Sequence, residues 1–259
     1  MLKSEVTELY GGNDIIWSDP TGGDARCQFI YREGESTLSV YGYEWAGVNP
    51  ENGMNVWYLN DDDIPEEDKV DDYFMYNGRR ATYTKTDAEY TILADLNPKF
   101  QGGFSTNVSW KGIDLGLNFS YKLGSKLFDA AEKDVDDDGY YWERIRSKRV
   151  AENRWTTVGQ VTDIPQISGL DLEDAMGTSS RHLHSGNFVR LKNISLSYNF
   201  PKQLVNKIGL GSARVYFNGQ NLLTFAGYKE VDPEVNQYGT RGWETPFGKT
   251  YTFGLEFTF

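Results

Sequence analysis

The sequence predicts an all-β protein whose strands form part of an antiparallel transmembrane β-barrel, and three observations predict it. The first is the stretch Thr250 to Phe259, where Tyr251, Phe253, Leu255, Phe257 and Phe259 occupy every second place and Thr, Gly or Glu fill the places between. A period of two gives a strand with one apolar and one polar face. The second is a pair of strands around Lys111-Gly112 whose apolar faces coincide in a two-residue hairpin. The third is that short connections alternate with long ones, as in barrels with brief turns on one side and extended loops on the other.

The terminal stretch fits a lipid-facing role. Ten residues rising about 3.3 Å each and tilted about 45° span roughly 23 Å, close to the ~25 Å apolar band of such barrels. Burying five large apolar side chains at ~1.5–3 kcal/mol each stabilises the strand by about 10 kcal/mol. A soluble edge strand carrying the same ladder would recruit other chains.

In chain order, residues 1–35 are weakly patterned, with a strand expected within Arg26–Tyr31 and turn chemistry at Asp19–Asp24. An aromatic, turn-rich passage follows, through Trp45 and Val56-Trp57-Tyr58, and Asn60–Asp72 reads as an acidic solvated loop. Phe100, Phe104, Val108 and Trp110 share one strand face. Ile113, Leu115, Leu117, Phe119 and Tyr121 share the next, and Trp110 is expected opposite Ile113 and Val108 opposite Leu115. Residues 122–187 are too polar and irregular for membrane strands, with a short helix expected near Leu127–Lys133. A third strand alternates through Ile194, Leu196, Tyr198 and Phe200, and a fourth through Ala213, Val215 and Phe217, with Pro201–Gly211 as connector. Residues 122–187 and 228–249 are expected to face outside. Five strands are clear and two or three more are expected upstream, too few to close a barrel.

The totals agree. Hydrophobic residues are 39% of the chain, aromatics 15%, and the net charge is −12. A mean hydropathy of −0.59 does not argue against a barrel, because half of each strand is polar. The acidic balance argues against nucleic acid as a partner. The single cysteine, Cys27, excludes an internal disulfide. The first ten residues lack the apolar core of a secretory signal, so the sequence reads as the tail of a longer polypeptide.

Motifs spread over nearly the whole chain resemble one family. Phe188, Arg190, Leu191, Lys192, Asn193 and Tyr198, followed by Pro201, resemble the signature of the SusC/RagA TonB-linked outer-membrane transporters. Asn97-Pro98, Arg154-Trp155, Thr162-Asp163-Ile164-Pro165, the run Gly219 to Thr224 containing Asn221, Asp232-Pro233-Glu234 and a terminal Phe259 follow in the same order. The alternating strand ending in an aromatic also resembles the signal for barrel assembly. The resemblance implies that residues 1–259 are the C-terminal segment of a barrel of about 22 strands, without signal peptide, N-terminal extension or plug. It implies location in the cell outer membrane, contact with outer-membrane lipid, and no enzymatic activity. It also implies import of oligosaccharide or peptide cargo with a SusD-like surface lipoprotein, energised through TonB by parts outside this chain.

Several residues carry sharper expectations. Asp134, Asp136, Asp138 and Gly139 match the first half of a calcium loop, but position twelve is Ile145 where a bidentate Glu is needed. A calcium ion in an outer loop and a plain solvated acidic loop both remain open, and no other cofactor is expected. His182 and His184 have no identifiable third ligand for zinc and are expected with Arg181 near the membrane's outer edge. Arg190 and Lys192 fall on the lipid-side parity of their strand: they meet lipid phosphates, or a bulge shifts the register. Trp45, Trp142, Trp155 and Trp243 are candidates for glycan or lid contact. No nucleophile elbow, phosphate loop or cysteine–histidine pair points to catalysis. Two alternatives stand beside the import reading: a receptor for siderophores or haem, disfavoured by the lack of a His or Met cluster, and a soluble all-β adhesin or binding module.

Overall fold

The computed structural model describes residues 3–20, 27–62, 64–136, 138–139, 145–167 and 177–259. The first half of the chain is folded into short strands: β1 (Ile15–Ser18), β2 (Gln28–Tyr31), β3 (Ser39–Gly42), β4 (Trp45–Val48), β5 (Asn55–Tyr58), β6 (Phe74–Tyr76), β7 (Arg79–Thr82) and β8 (Thr91–Asp95). Long strands follow, β9 (Phe100–Trp110) and β10 (Ile113–Leu123), then β11 (Lys126–Asp129), helices α1 (Ala130–Val135) and α2 (Lys148–Asn153), and β12 (Leu183–Ser185). The chain ends with β13 (Phe188–Asn199), helix α3 (Lys202–Val205), β14 (Ser212–Ala226), β15 (Thr240–Arg241) and β16 (Thr250–Thr258).

One sheet forms a wall, in the order β16-β14-β13-β10-β9, antiparallel throughout. Its register keeps two faces apart. Trp110, Ile113, Tyr198, Val215 and Leu255 lie in one cross-strand row, and Val108, Leu115, Leu196, Phe217 and Phe253 in the next. Between these rows run Ser109, Asp114, Ser197, Tyr216 and Gly254 on the other face. The apolar rings stand uncovered, Phe253 at 77% exposure. The hairpin pairs Trp110 with Ile113 and Val108 with Leu115 as expected. Its turn residues Lys111 and Gly112 have φ of 50° and 88°, the left-handed pair that matches the twist of the flanking strands. On the polar face the Tyr216 ring lies flat over Gly254, where a Cβ would come within 2.2 Å of it. The wall is open, with β9 and β16 as its edges. Among the described residues no helix is long and apolar enough to cross a membrane.

The upstream expectation is corrected. Among the described residues the first half holds eight short strands, β2 falling within the expected Arg26–Tyr31, and not two or three wall strands, in two four-stranded sheets, β1-β2-β3-β8 and β4-β5-β7-β6. Five residues or fewer reach only about 17 Å, too short to join the wall. These strands instead bury a core of Cys27, Phe29, Val40, Leu96, Phe128 and Ala130, with Trp17, Leu38 and Tyr238 packed on it. The expected helix at Leu127–Lys133 is also corrected. Leu127 and Phe128 are fully buried in β11, which pairs antiparallel with β12 and parallel with β15. The helix begins only at Ala130, where Asp129 accepts from Glu132 N at 3.0 Å and caps it. The third and fourth strands are longer than their alternation indicates, since β13 begins at Phe188 and β14 runs on to Ala226.

Candidate functional site

The reason β13 is longer is a bulge. Opposite β10, Asn193 pairs with Asn118 and Leu191 with Phe119, so Lys192 is an extra residue. Opposite β14 the register shifts at the same place, with Asn221 held at a φ of 53°. Below the bulge Ile194, Leu196 and Tyr198 share the apolar face; above it Leu191 and Val189 do, aligned with Leu223 and Phe225. Arg190 therefore turns to the polar face, opposite Ser120 and Thr224. Of the two readings open for Arg190 and Lys192, the bulge is the one observed.

Both cations meet one returning segment, residues 229–249. Arg190, 2% exposed, bonds the Asp232 carboxylate and lies 3.2 Å from Glu234. Lys192 Nζ donates to both Glu234 carboxylate oxygens, at 2.6 and 2.8 Å. Phe247 N donates to Asp232 Oδ2 at 3.2 Å, and its ring sits 5.4 Å from the Arg190 guanidinium and 5.1 Å from the Lys192 ammonium. Asn221 Nδ2 donates to Gly248 O at 3.4 Å. Part of the segment expected to face outside thus folds back against the polar face of the wall, because that is where the bulge puts the cations. Two cavities flank the contact. One of about 490 Å³ is bounded by Glu230, Glu234, Arg241, Glu244 and Phe247, and one of about 630 Å³ by Arg190, Phe225, Lys229, Asp232 and Pro233. Of the other signature residues, Phe188 and Leu191 are buried, Asn193 pairs in the ladder, Tyr198 packs on Phe200 at 5.0 Å and Pro201 precedes α3.

The same segment continues into the body formed by the short strands and α1. Arg241 Nη1 donates to both Asp129 oxygens at 2.9 and 3.1 Å, and Thr240 bonds Asp19. One turn into α1, Glu132 Oε2 accepts from His182 Nδ1 at 3.2 Å and His184 Nε2 at 2.6 Å, while Arg149 donates to Oε1 at 2.5 Å. The His184 ring stacks on Tyr228 at 3.9 Å. Burial raises the Glu132 carboxyl, but the bonds from the two histidines outweigh it and hold the group well below its ordinary range. Burial pushes His182 down from 6.5 to about 4, against the opposing pull of Glu132. His182 is buried and His184 partly buried against Glu132. Glu132 is the partner that sequence reasoning missed, since nothing in an H-x-H spacing points to a carboxylate some fifty positions away.

The calcium candidates are engaged differently. Asp136 bonds Arg149 and accepts from Ser147 Oγ at 2.7 Å. Asp138 takes Arg181 Nη1 at 2.8 and 3.0 Å and Asn55 Nδ2 at 2.7 Å. These oxygens neutralise arginines, and among the described residues no group of three His, Cys, Asp or Glu is placed to hold a metal ion. Trp45 and Trp155 direct their indole N–H groups inward, to Asn55 Oδ1 and Pro50 O, both at 3.0 Å. Trp155 lies over Gly53, where a Cβ would come within 2.4 Å of its ring. Trp243 is 69% exposed, and Trp142 lies outside the described residues.

No family model matches the chain. It is 29% identical to TonB-dependent receptor P3 of Formosa agariphila over 274 aligned residues, covering 99% of this chain and 26% of that protein. It is 28% identical to TonB-dependent receptor P26 of the same organism, covering 65% of this chain and 18% of that protein. Among solved structures it superposes on the RagAB peptide transporter with a TM-score of 0.75 and 27% identity, over 98% of this chain and 26% of that chain. A 'closed-closed' state of the RagAB peptide importer gives 0.73 at 28% identity. The chain spans about a quarter of the length of the relatives it matches most fully.

Two outcomes test this geometry. Arg190→Met leaves Asp232 and Glu234 facing the wall without their buried partner and lowers stability by about 3 kcal/mol or more, read as the urea unfolding midpoint. Arg190→Lys recovers only part of it, lacking the guanidinium fork. The second concerns acid. Because His182 titrates lower folded than unfolded, its neutral form stabilises the fold above pH 6.5, and that contribution is lost as pH falls towards 4. The depressed Glu132 carboxyl acts in the same direction. Hydrogen-exchange protection of residues 126–135 is expected to fall over that range, and His182→Gln to remove much of the fall.

Proposed function

We propose, taking the chain as a SusC/RagA-type TonB-dependent receptor segment, that it supplies the C-terminal barrel strands and outer loops of an outer-membrane importer. The observation that carries this reading is the wall itself: five antiparallel strands with an uncovered aromatic face and a polar face, in a chain that superposes on RagAB over 98% of its length. Uncovered rings are stable against hydrocarbon, and the polar face suits a wet conduit. The outer body, stiffened by Glu132, Arg149, Arg181 and Arg241, presents loops to cargo and to a SusD-like lipoprotein. The cargo is an oligomer, oligosaccharide or peptide, and the peptide transport named for RagAB supports the second as much as the first. Trp243 is the described aromatic candidate left free to stack on it. Plug movement driven through TonB belongs to other parts of the parent, and no catalytic step is assigned to this chain.

Uptake measured on cells tests the proposal. Fluorescent oligosaccharide and peptide pools are offered to cells with the parent gene intact or deleted, and with or without a protonophore. Uptake of one pool is expected to need both the gene and the proton gradient. Equal uptake by deleted and intact cells contradicts the reading.

A further inference from the structure

The end of the wall at its short turns carries features that import does not use. Asn199 N donates to Gly112 O at 2.8 Å, Phe200 N to Ala213 O at 3.0 Å and Gly211 N to Thr258 O at 2.7 Å, which sets the Lys111-Gly112 tip and the 201–211 connector side by side. The connector is helical, α3 running into a 3-10 turn at Asn206–Ile208. Leu204, Val205 and Ile208 fall on one arc of it. Val205 is buried beneath the turn, whereas Leu204 and Ile208 stand 56% and 72% exposed. Two exposed leucine-sized side chains thus stand at the end of a wall whose rings are uncovered.

Charge is sorted at the same end. Lys202 and Lys207 are exposed, and residues 199–211 contain no acidic side chain. Lys111 Nζ reaches over the Trp110 ring at 4.9 Å, on the apolar side. The nearby acids belong to the polar face: Asp114 accepts from Ser109 Oγ and Asn199 Nδ2, and Glu256 faces Arg214. Exposed aliphatic side chains flanked by lysines, at the end of a sheet that carries an uncovered aromatic face, are the pattern of a segment lying in a headgroup layer.

We propose that Lys202–Ile208, together with Lys111, is an interfacial anchor for phospholipid. Leu204 and Ile208 dip into the acyl boundary, and the three ammonium groups meet headgroup phosphates while their stems lie along apolar surface. The proposal rests on the membrane reading of the wall, and it places the connector in the lipid interface rather than in the water beyond it.

The test uses the full-length parent in phosphatidylethanolamine–phosphatidylglycerol bilayers, with spin labels at Leu204, Ile208 and Phe253 in turn. Collision with oxygen is compared with collision with an aqueous nickel chelate. Labels at Leu204 and Ile208 are expected to favour oxygen, at a depth shallower than Phe253. If Phe253 favours oxygen while both connector labels favour nickel, the anchor is overturned and the wall stands. If Phe253 also favours nickel, the wall reading fails and takes the anchor with it. Lys111→Gln/Lys202→Gln/Lys207→Gln, folded by the Phe253 criterion, is expected to weaken selection of spin-labelled phosphatidylglycerol by at least about fivefold. An unchanged selection overturns the phosphate contact.

Discussion

The constraint on which the structure depends is that one face of the wall stays free of charge along its whole height. A strand with a strict period of two would carry Arg190 and Lys192 onto the face of Ile194, Leu196 and Tyr198. A cation there costs about 2–4 kcal/mol at the middle of a bilayer. One extra residue at Lys192 resolves the conflict by moving everything above it to the opposite parity. Leu191 and Val189 then continue the apolar face, and Arg190 enters the interior.

A buried guanidinium needs its own partners, and this explains the second half of the architecture. Asp232 and Glu234 answer Arg190 and Lys192, so the segment before β16 is pulled against the wall. The same segment reaches the body of short strands through Tyr238 on Trp17, Thr240 on Asp19 and Arg241 on Asp129. Asp129 in turn caps the helix that carries Glu132. The residues that read as a signature in the sequence are therefore two halves of one brace between wall and loops, separated by some forty positions.

Legibility followed interaction range. The hairpin at Lys111-Gly112 and the β16 ladder were readable because each is decided by neighbours within ten residues. The ends of β13 and β14 were not, because a bulge interrupts the alternation and only the facing strands reveal the register. Of the short upstream strands only β2 was foreseen, within Arg26–Tyr31; others were missed because burial on both sides removes the polar half of their pattern, Val56 and Trp57 both being buried. The acidic run at Asp134–Asp138 matches an ion loop in spacing, but spacing does not show what its carboxylates meet. Arg149 and Arg181, which pair with Asp136 and Asp138, carry no local signal.

The most direct measurement is a single-cysteine scan of the protein reconstituted in bilayers, from Val189 to Tyr198, scored for lipid against water exposure. The structure predicts lipid-facing positions at Ile194, Leu196 and Tyr198, a break in phase at Lys192, and a lipid-facing position again at Val189. An even-numbered period that runs unbroken through Lys192 and Arg190 would contradict it.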